Sequence, residues 1–294
     1  MTNQSDRMDK LVQDLEQQAR SFAARNSGEE GRSTRSLIVA DFEFLWDRSR
    51  HHGYKTQEGK DAAPIRWPFD RIAASSWIAL NFVAGEKSPR IEGPFIRTME
   101  DGNEVGIVES LFEALRADPR ASFVTWGGEF RDLPVLRRCA TENGLILPEQ
   151  LRNLSPHAGE RVDLCRAVAG LADNAHLGEY AAALSIPAKP IAASSIGKLV
   201  ERGEWTPVRE QCLADTLATA LLAVRHWVAL GQITCDQMAT DLAIVDAAHA
   251  AQPNSEFVTR TLKPWVRARH ARSRLKGSVY HAADSVIREG ETVT

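Results

Sequence analysis

The chain has 294 residues, 43% hydrophobic and 26% charged, which is the composition of an ordinary globular protein long enough to bury a large core. A formal net charge of −3 excludes a global polyanion-binding surface, so any nucleic-acid contact has to come from local patches. The four cysteines, Cys139, Cys165, Cys212 and Cys235, are widely spaced with no Cys-x-x-Cys pair, which argues against a zinc site or disulfide framework and for a reducing, cytoplasmic setting.

Met8, Leu11, Leu15 and Phe22 recur at roughly helical spacing and predict a short amphipathic helix within residues 1–24, followed by a linker over 27–34. The polar N-terminus lacks the apolar core of a signal peptide, and no stretch reads as long enough to span a bilayer, so no membrane partner is expected. Residues 36–44 form the first strand. Leu37 to Ala40 are continuously apolar, as in a strand buried on both faces, and the run ends in Asp41-Phe42-Glu43. Residues i and i+2 of a strand share a face, so Asp41 and Glu43 lie side by side. Two such carboxylates call for a cation between them, unless the strand simply ends in water.

Residues 49–69 are polar, contain Pro64 and Pro68, and read as a long loop. A hairpin is expected from Ile72–Val83 and Arg90–Arg97, joined by a turn at Gly85–Pro89. Val105, Val108, Leu111, Phe112 and Leu115 mark a helix ended by Asp118-Pro119, and Ala121–Trp126 a further buried strand. After Gly127-Gly128 a helix runs through Val135, Leu136 and Cys139 to Gly144. Asp132 falls in its first turn, where the macrodipole favours an acid on structural grounds alone.

From Leu164 onward the pattern is almost wholly helical, with segments at 177–184, 196–200, 208–230 and 236–251 separated by Pro187, Pro190 and Pro207. Asp215 stands inside one of these among Ala214, Leu217, Ala218 and Leu222. There it needs a partner if buried and none if it faces solvent. The predicted fold class is α/β, a mixed sheet flanked by helices with a helix-rich C-terminal half.

In this order the segments resemble the DEDD 3′–5′ exonucleases of RNase H-like fold. They are most similar to the branch of predicted exonucleases related to the proofreading domain of family B DNA polymerases. The first motif of that branch, Asp-x-Glu, is matched by Asp41 and Glu43. Its second, an Asn-Gly turn followed by Phe-Asp-x-Pro-x-Leu, is matched in part by Gly128, Asp132, Pro134 and Leu136. Its third, Tyr-Cys-x-x-Asp-Val-x-x-Thr, is matched by Cys212, Asp215 and Thr219. Val162-Asp163-Leu164 resembles the family's His-x-Asp-Leu strand, and Leu177 to Lys189 its Leu-Gly-x-Pro-x-Lys element. The resemblance spans residues 36–266. It divides the chain into an N-terminal helix and linker (1–35), the exonuclease-like domain (36–266) and a basic extension (267–294).

The resemblance implies a nuclease that hydrolyses phosphodiester bonds at single-stranded 3′ ends of DNA or RNA. Two Mg²⁺ or Mn²⁺ ions about 3.5–4 Å apart would activate the attacking water and clamp the departing oxygen. Hard cations of this kind take carboxylate oxygens. Asp41 would then bridge both ions, Glu43 and Asp215 would hold the ion that carries the water, and Asp132 would hold or orient the second. The family's water-positioning Tyr is replaced by Gln211, and a His found one residue earlier in sister groups by Glu210. Gln211 can bond a water but cannot accept its proton, while Glu210 leaves the helix about 100° away. His157, His176 and Tyr180 are substitutes to be considered. Gly127 replaces the family Asn, and Arg131 its Phe. An alternative is therefore a nucleic-acid-binding protein that keeps the fold but hydrolyses weakly.

For the substrate, Phe44 is read as lying on the acids' side of the strand and Trp126 as lying near the second motif, both candidates to stack on a base. Arg131 is a further candidate contact. Between Arg260 and Lys276 there are seven Lys or Arg and no acid. Arg267, Arg269, Arg272 and Arg274 of this stretch are expected to track a phosphate backbone, with a solvated tail as the alternative.

Overall fold

A computed structural model describes residues 34–59, 64–153, 155, 159–188 and 196–273. The expected N-terminal helix, His157, Lys189 and Arg274 lie outside them. Five strands form one mixed sheet in the order β3-β2-β1-β4-β5: β1 (Arg35–Trp46), β2 (Asp70–Phe82), β3 (Arg90–Thr98), β4 (Ser122–Thr125) and β5 (Arg161–Asp163). The pairs β1–β2 and β2–β3 are antiparallel, whereas β1–β4 and β4–β5 are parallel. The apolar run Leu37–Ala40 is the central strand, as its continuous hydrophobicity requires, and all four residues are buried.

Alternation along β1 divides the core in two. Leu37 and Val39 point into one cluster with Leu213, Leu217, Leu221 and Trp227 of the long helix, α8 (Trp205–Ala229). Ile38, Ala40 and Phe42 point into the other, against α2 (Glu104–Ala117) and α3 (Asp132–Asn143). The sheet is thus covered on both faces, the layout expected of an α/β chain. Between α3 and α8 the described residues form four short helices, α4 (Glu149–Arg152), α5 (Leu164–Ala169), α6 (Leu177–Ala183) and α7 (Ile196–Glu201). Next is α9 (Gln237–Ala251), and a last helical stretch opens with a π turn at Phe257–Leu262 and continues over residues 263–273. That stretch runs unbroken across position 266.

Two expectations are corrected. Residues 48–58, expected within a loop, form helix α1 (Arg48–Glu58). It carries almost no apolar residue, so periodicity is silent. Its ends are set by capping instead, with Asp47 accepting from the Arg50 amide and Gly59 closing in the left-handed conformation at φ 61°. The second concerns apolar length. α8 has 25 residues and a mean hydropathy of 1.2 over its most apolar window, enough for a membrane span. In the fold 72% of that window is buried inside the protein, so α8 is the core helix on which the sheet rests.

An ionic cluster locks α1, β2, α2 and α3 together. Glu104 accepts from the Ile72 amide, from Arg71 at 2.9 Å and from Arg138. Glu142 accepts from Arg50, Arg71 and Arg138, each at 2.7 Å. Those three guanidiniums, Arg50 first, hold the Glu142 carboxyl well below the usual carboxylate range.

Candidate metal centre

The site is built where β1 runs beneath α8. Cys212 donates its thiol to the Asp41 carbonyl at 3.4 Å, and Thr216 donates to the Ser76 carbonyl at 3.2 Å. Asp41 and Ser76 are opposite one another in the β1–β2 ladder. Two residues one turn apart on α8 therefore grip one rung of the sheet, and Asp215, between them in sequence, is brought over that part of β1. As the two-residue period requires, Asp41 and Glu43 share the face turned to α8. Carboxylate oxygens of Asp41, Glu43 and Asp215 all lie within 4.8 Å of one another. Glu43 and Asp215 are only 8% and 9% exposed, whereas Asp41 is half-buried, so the cluster is largely enclosed but open at Asp41.

Three partly desolvated carboxylates at this spacing repel one another and present hard oxygen donors, a set that suits Mg²⁺ or Mn²⁺ and not a thiolate-seeking metal. The field they create registers on Cys212. Burial first, and then the charges of Asp41, Glu43 and Asp215, push its thiol pKa well above the ordinary value. That sulfur is thus a protonated donor to the backbone, not a ligand.

Asp132 is not part of the 4.8 Å group. It sits at the N-terminus of α3 beside Gly128, and the charged groups acting on it are Arg131 and Asp163. Burial raises its pKa to about 7, with Asp163 adding to the rise and Arg131 opposing it. The turn that positions it is held by Asp163, which accepts from the Gly127 amide at 2.8 Å, from the Glu129 amide at 3.3 Å and from the Arg166 amide at 3.4 Å. The sequence pattern picked out Asp163 as a strand residue only; its positioning role shows only once β4 and β5 are side by side. Gly127 has φ 75°, a conformation that Asn also tolerates, which explains how Gly stands where the motif has Asn. Gly128 is required for closeness. A Cβ there would come within 2.7 Å of Thr125 Cβ and 3.0 Å of Asp132 Oδ2.

The remaining expected site residues divide sharply. Gln211 is fully buried and donates its amide to Asp215 Oδ2 at 2.6 Å, so it orients a carboxylate of the cluster. Glu210 points elsewhere, as expected from helix geometry. It accepts from Ser255 Oγ at 2.9 Å and from the amides of Glu256 and Phe257 at 3.2 and 3.0 Å, capping the final helical stretch.

Phe44 is on the face opposite the acids. It stacks beside Phe42 with centroids 6.4 Å apart and packs against the α2–α3 core, because residues 42 and 44 share a side just as 41 and 43 do. A register irregularity in the β1–β2 ladder between Glu43 and Phe44 leaves that pairing of side chains unchanged. Arg131 lies over the Phe44 ring at 4.4 Å and pairs with the buried Asp70 at 2.6 Å, so its charge is spent internally. Trp126 packs against Tyr180 at 5.3 Å and donates its indole N–H to the Ala175 carbonyl, which makes it a core residue and occupies Tyr180 as well. His176 is the residue preceding α6.

In the basic stretch, Arg269 covers Trp265 at 5.2 Å and approaches the buried Asp241 at 3.6 Å, while Asp241 accepts from Arg225 at 2.8 Å. Arg269 is thus an internal tie, whereas Arg267 and Arg272 are exposed. Arg225, which shares Asp241 with Arg269, lies ten residues beyond Asp215, about 15 Å along α8.

Against known proteins, the family described as predicted 3′–5′ exonucleases related to the exonuclease domain of PolB matches residues 65–265. Those residues contain Asp132, Gln211 and Asp215 but begin after β1, so Asp41 and Glu43 join the site through the fold. No curated protein matches the chain in sequence. Among solved structures, the family B DNA polymerase from the hyperthermophilic archaeon Pyrobaculum calidifontis is similar at 13% identity and a TM-score of 0.44. The similarity covers 74% of this chain and 26% of the polymerase.

Proposed function

The chain belongs to the family of predicted 3′–5′ exonucleases related to the exonuclease domain of PolB, and from that premise we propose that it is a metal-dependent 3′–5′ exonuclease acting on single-stranded ends of DNA or RNA. The observation that carries this reading is the convergence of Asp41, Glu43 and Asp215 within 4.8 Å on the central strand and the long helix that crosses it. A pair of Mg²⁺ or Mn²⁺ ions would supply an acidified water for attack and neutralise charge on the departing 3′-oxygen. Asp41, Glu43 and Asp215 would hold the first ion, and Asp132, set on a separate turn, would serve the second with Asp41. Gln211 fixes the orientation of Asp215, and Asp163 fixes the turn that carries Asp132. Exposed Arg267 and Arg272 would meet the strand at a distance from the reacting end. The domain limits suggested by sequence, 36–266 with flanking extensions, and a reducing cytoplasmic setting that suits four free cysteines, complete the proposal.

The test is incubation with a 5′-labelled single-stranded oligonucleotide and Mn²⁺. Shortening from the 3′ end is expected, and it should be abolished by chelator and by Asp41→Asn. An intact substrate at saturating metal would overturn hydrolysis. A second reading, binding with slow hydrolysis, is favoured by Gln211, whose buried amide is engaged with Asp215 and which has no proton-accepting group. It predicts tight oligonucleotide binding with turnover at least about 10²-fold below that of a site with a working base.

A further inference from the structure

The parallel strands β4 and β5 end at one rim, with neighbouring strands about 4.8 Å apart, and β1 runs on past them: it pairs with β4 as far as Val39, and Asp41 and Glu43 follow. The turn 127–132 leaves β4. Asp163 closes β5, and α5 begins directly after it. On this rim the aromatic residues nearest the acids in sequence, Phe42, Phe44 and Trp126, are all turned inward. Phe130, two residues before Asp132, is turned out and remains 55% exposed. Leaving a large ring in water forgoes the stabilisation its burial would give. Over that ring stands the guanidinium of Arg166, 4.6 Å from its centroid. Arg131 and Arg161, the other arginines around this turn, are neutralised by Asp70 and Glu129. Arg166 is exposed and forms no ion pair among the described residues. Its direct partner is an aromatic face.

We infer that Phe130 and Arg166 form a stacking platform for an unpaired base within the last two nucleotides of the strand, with the guanidinium serving the adjoining phosphate. The inference rests on the exonuclease reading and adds to it the element that holds the strand end. An exposed ring accepts any base by its π-face, while a cation beside it favours an anionic neighbour, so the platform is sequence-tolerant. It lies on the turn that carries Asp132, which leaves the strand next to β1.

The test is equilibrium binding of a fluorescent single-stranded oligonucleotide in Ca²⁺, which occupies carboxylate sites without supporting turnover in the assay. Phe130→Ala should weaken binding by about 5- to 150-fold, the equivalent of about 1–3 kcal/mol per stacked base. Phe130→Tyr should restore it, and Arg166→Gln should weaken it and flatten the salt dependence. The same Phe130→Ala change should make no difference to an oligonucleotide whose last two nucleotides are abasic. Because Phe130 is exposed, its variants should melt with wild type, and that measurement separates lost stacking from lost fold. Wild-type binding and hydrolysis with no effect of Phe130→Ala would overturn the platform and leave the exonuclease standing. Absence of wild-type binding and hydrolysis alike would overturn both.

Discussion

Gln211 donates its side-chain amide to Asp215 Oδ2 at 2.6 Å, one turn away on the buried side of α8. In the proposed metal site, the residue that stands where the resembled family has a water-positioning Tyr would therefore support a ligand, Asp215. Removing such a support typically costs 10- to 100-fold in metal affinity. Gln211→Leu should lower Mn²⁺ affinity by about that factor in calorimetric titration while keeping the fold. Gln211→Tyr, which restores the family pattern, forces a larger ring into a fully buried position and should cost about 1–3 kcal/mol of stability. Unchanged Mn²⁺ affinity in Gln211→Leu would show that the bond does not hold Asp215 in place.

Metal-linked stability separates the acids. Saturating Mn²⁺ should raise the melting temperature, by the equivalent of about 2.7 kcal/mol at a hundredfold excess over Kd. Asp41→Asn and Asp215→Asn should abolish the rise, since both belong to the 4.8 Å cluster. Asp132→Asn should retain part of it, because Asp132 stands on a separate turn. Loss of the entire shift in Asp132→Asn would show that the four acids act as a single metal site.

The Glu142 cluster predicts an acid-sensitive fold. Its carboxyl has a lowered pKa in the folded state, chiefly through Arg50 and Arg71, so below its unfolded value of about 4.5 the unfolded chain binds more protons. The stabilisation is present above that pH and is lost progressively as pH falls towards the folded value. Glu142→Gln should cost about 1–3 kcal/mol at pH 7, the worth of hydrogen bonds to a charged group, and the difference from wild type should shrink below pH 4.5. Urea unfolding at pH 7 and pH 3.5 measures it, and a constant difference would refute the linkage.

Gly128→Ala should destabilise the protein by about 1–3 kcal/mol, since its Cβ has no room beside Thr125 and crowds Asp132. The same substitution at Gly102, where nothing lies within 4 Å, is the control. Comparable melting temperatures for the two variants would show that the turn accommodates a side chain.

The acids were legible because their signal is local. Alternation places Asp41 with Glu43, and a carboxylate within an apolar helix marks Asp215. The expectation that Phe44 lies on the acids' side is wrong, although the same alternation puts it with Phe42 on the opposite face, where the structure has it. What escaped was non-local or unpatterned. Arg131 finds Asp70 sixty-one residues away, and no spacing rule connects them. Helix α1 is fixed by a cap and by ion pairs, which leave no apolar period. Helix α8 is buried nearly all round, so its apolar length resembles that of a membrane segment although it is the centre of the core. Phe130 could have been noticed as an aromatic among Glu129, Arg131 and Asp132, with no apolar neighbour to bury it.

Glu210 and Gln211 are adjacent, yet they face different parts of the molecule. One receives the amides that open the final helical stretch, and the other steadies Asp215. A single turn of α8 therefore anchors two separate features through neighbouring residues, the start of the final helical stretch through Glu210 and Asp215 through Gln211. The final helical stretch thus begins from the same turn of α8 that holds Asp215, whatever the placing of its arginines.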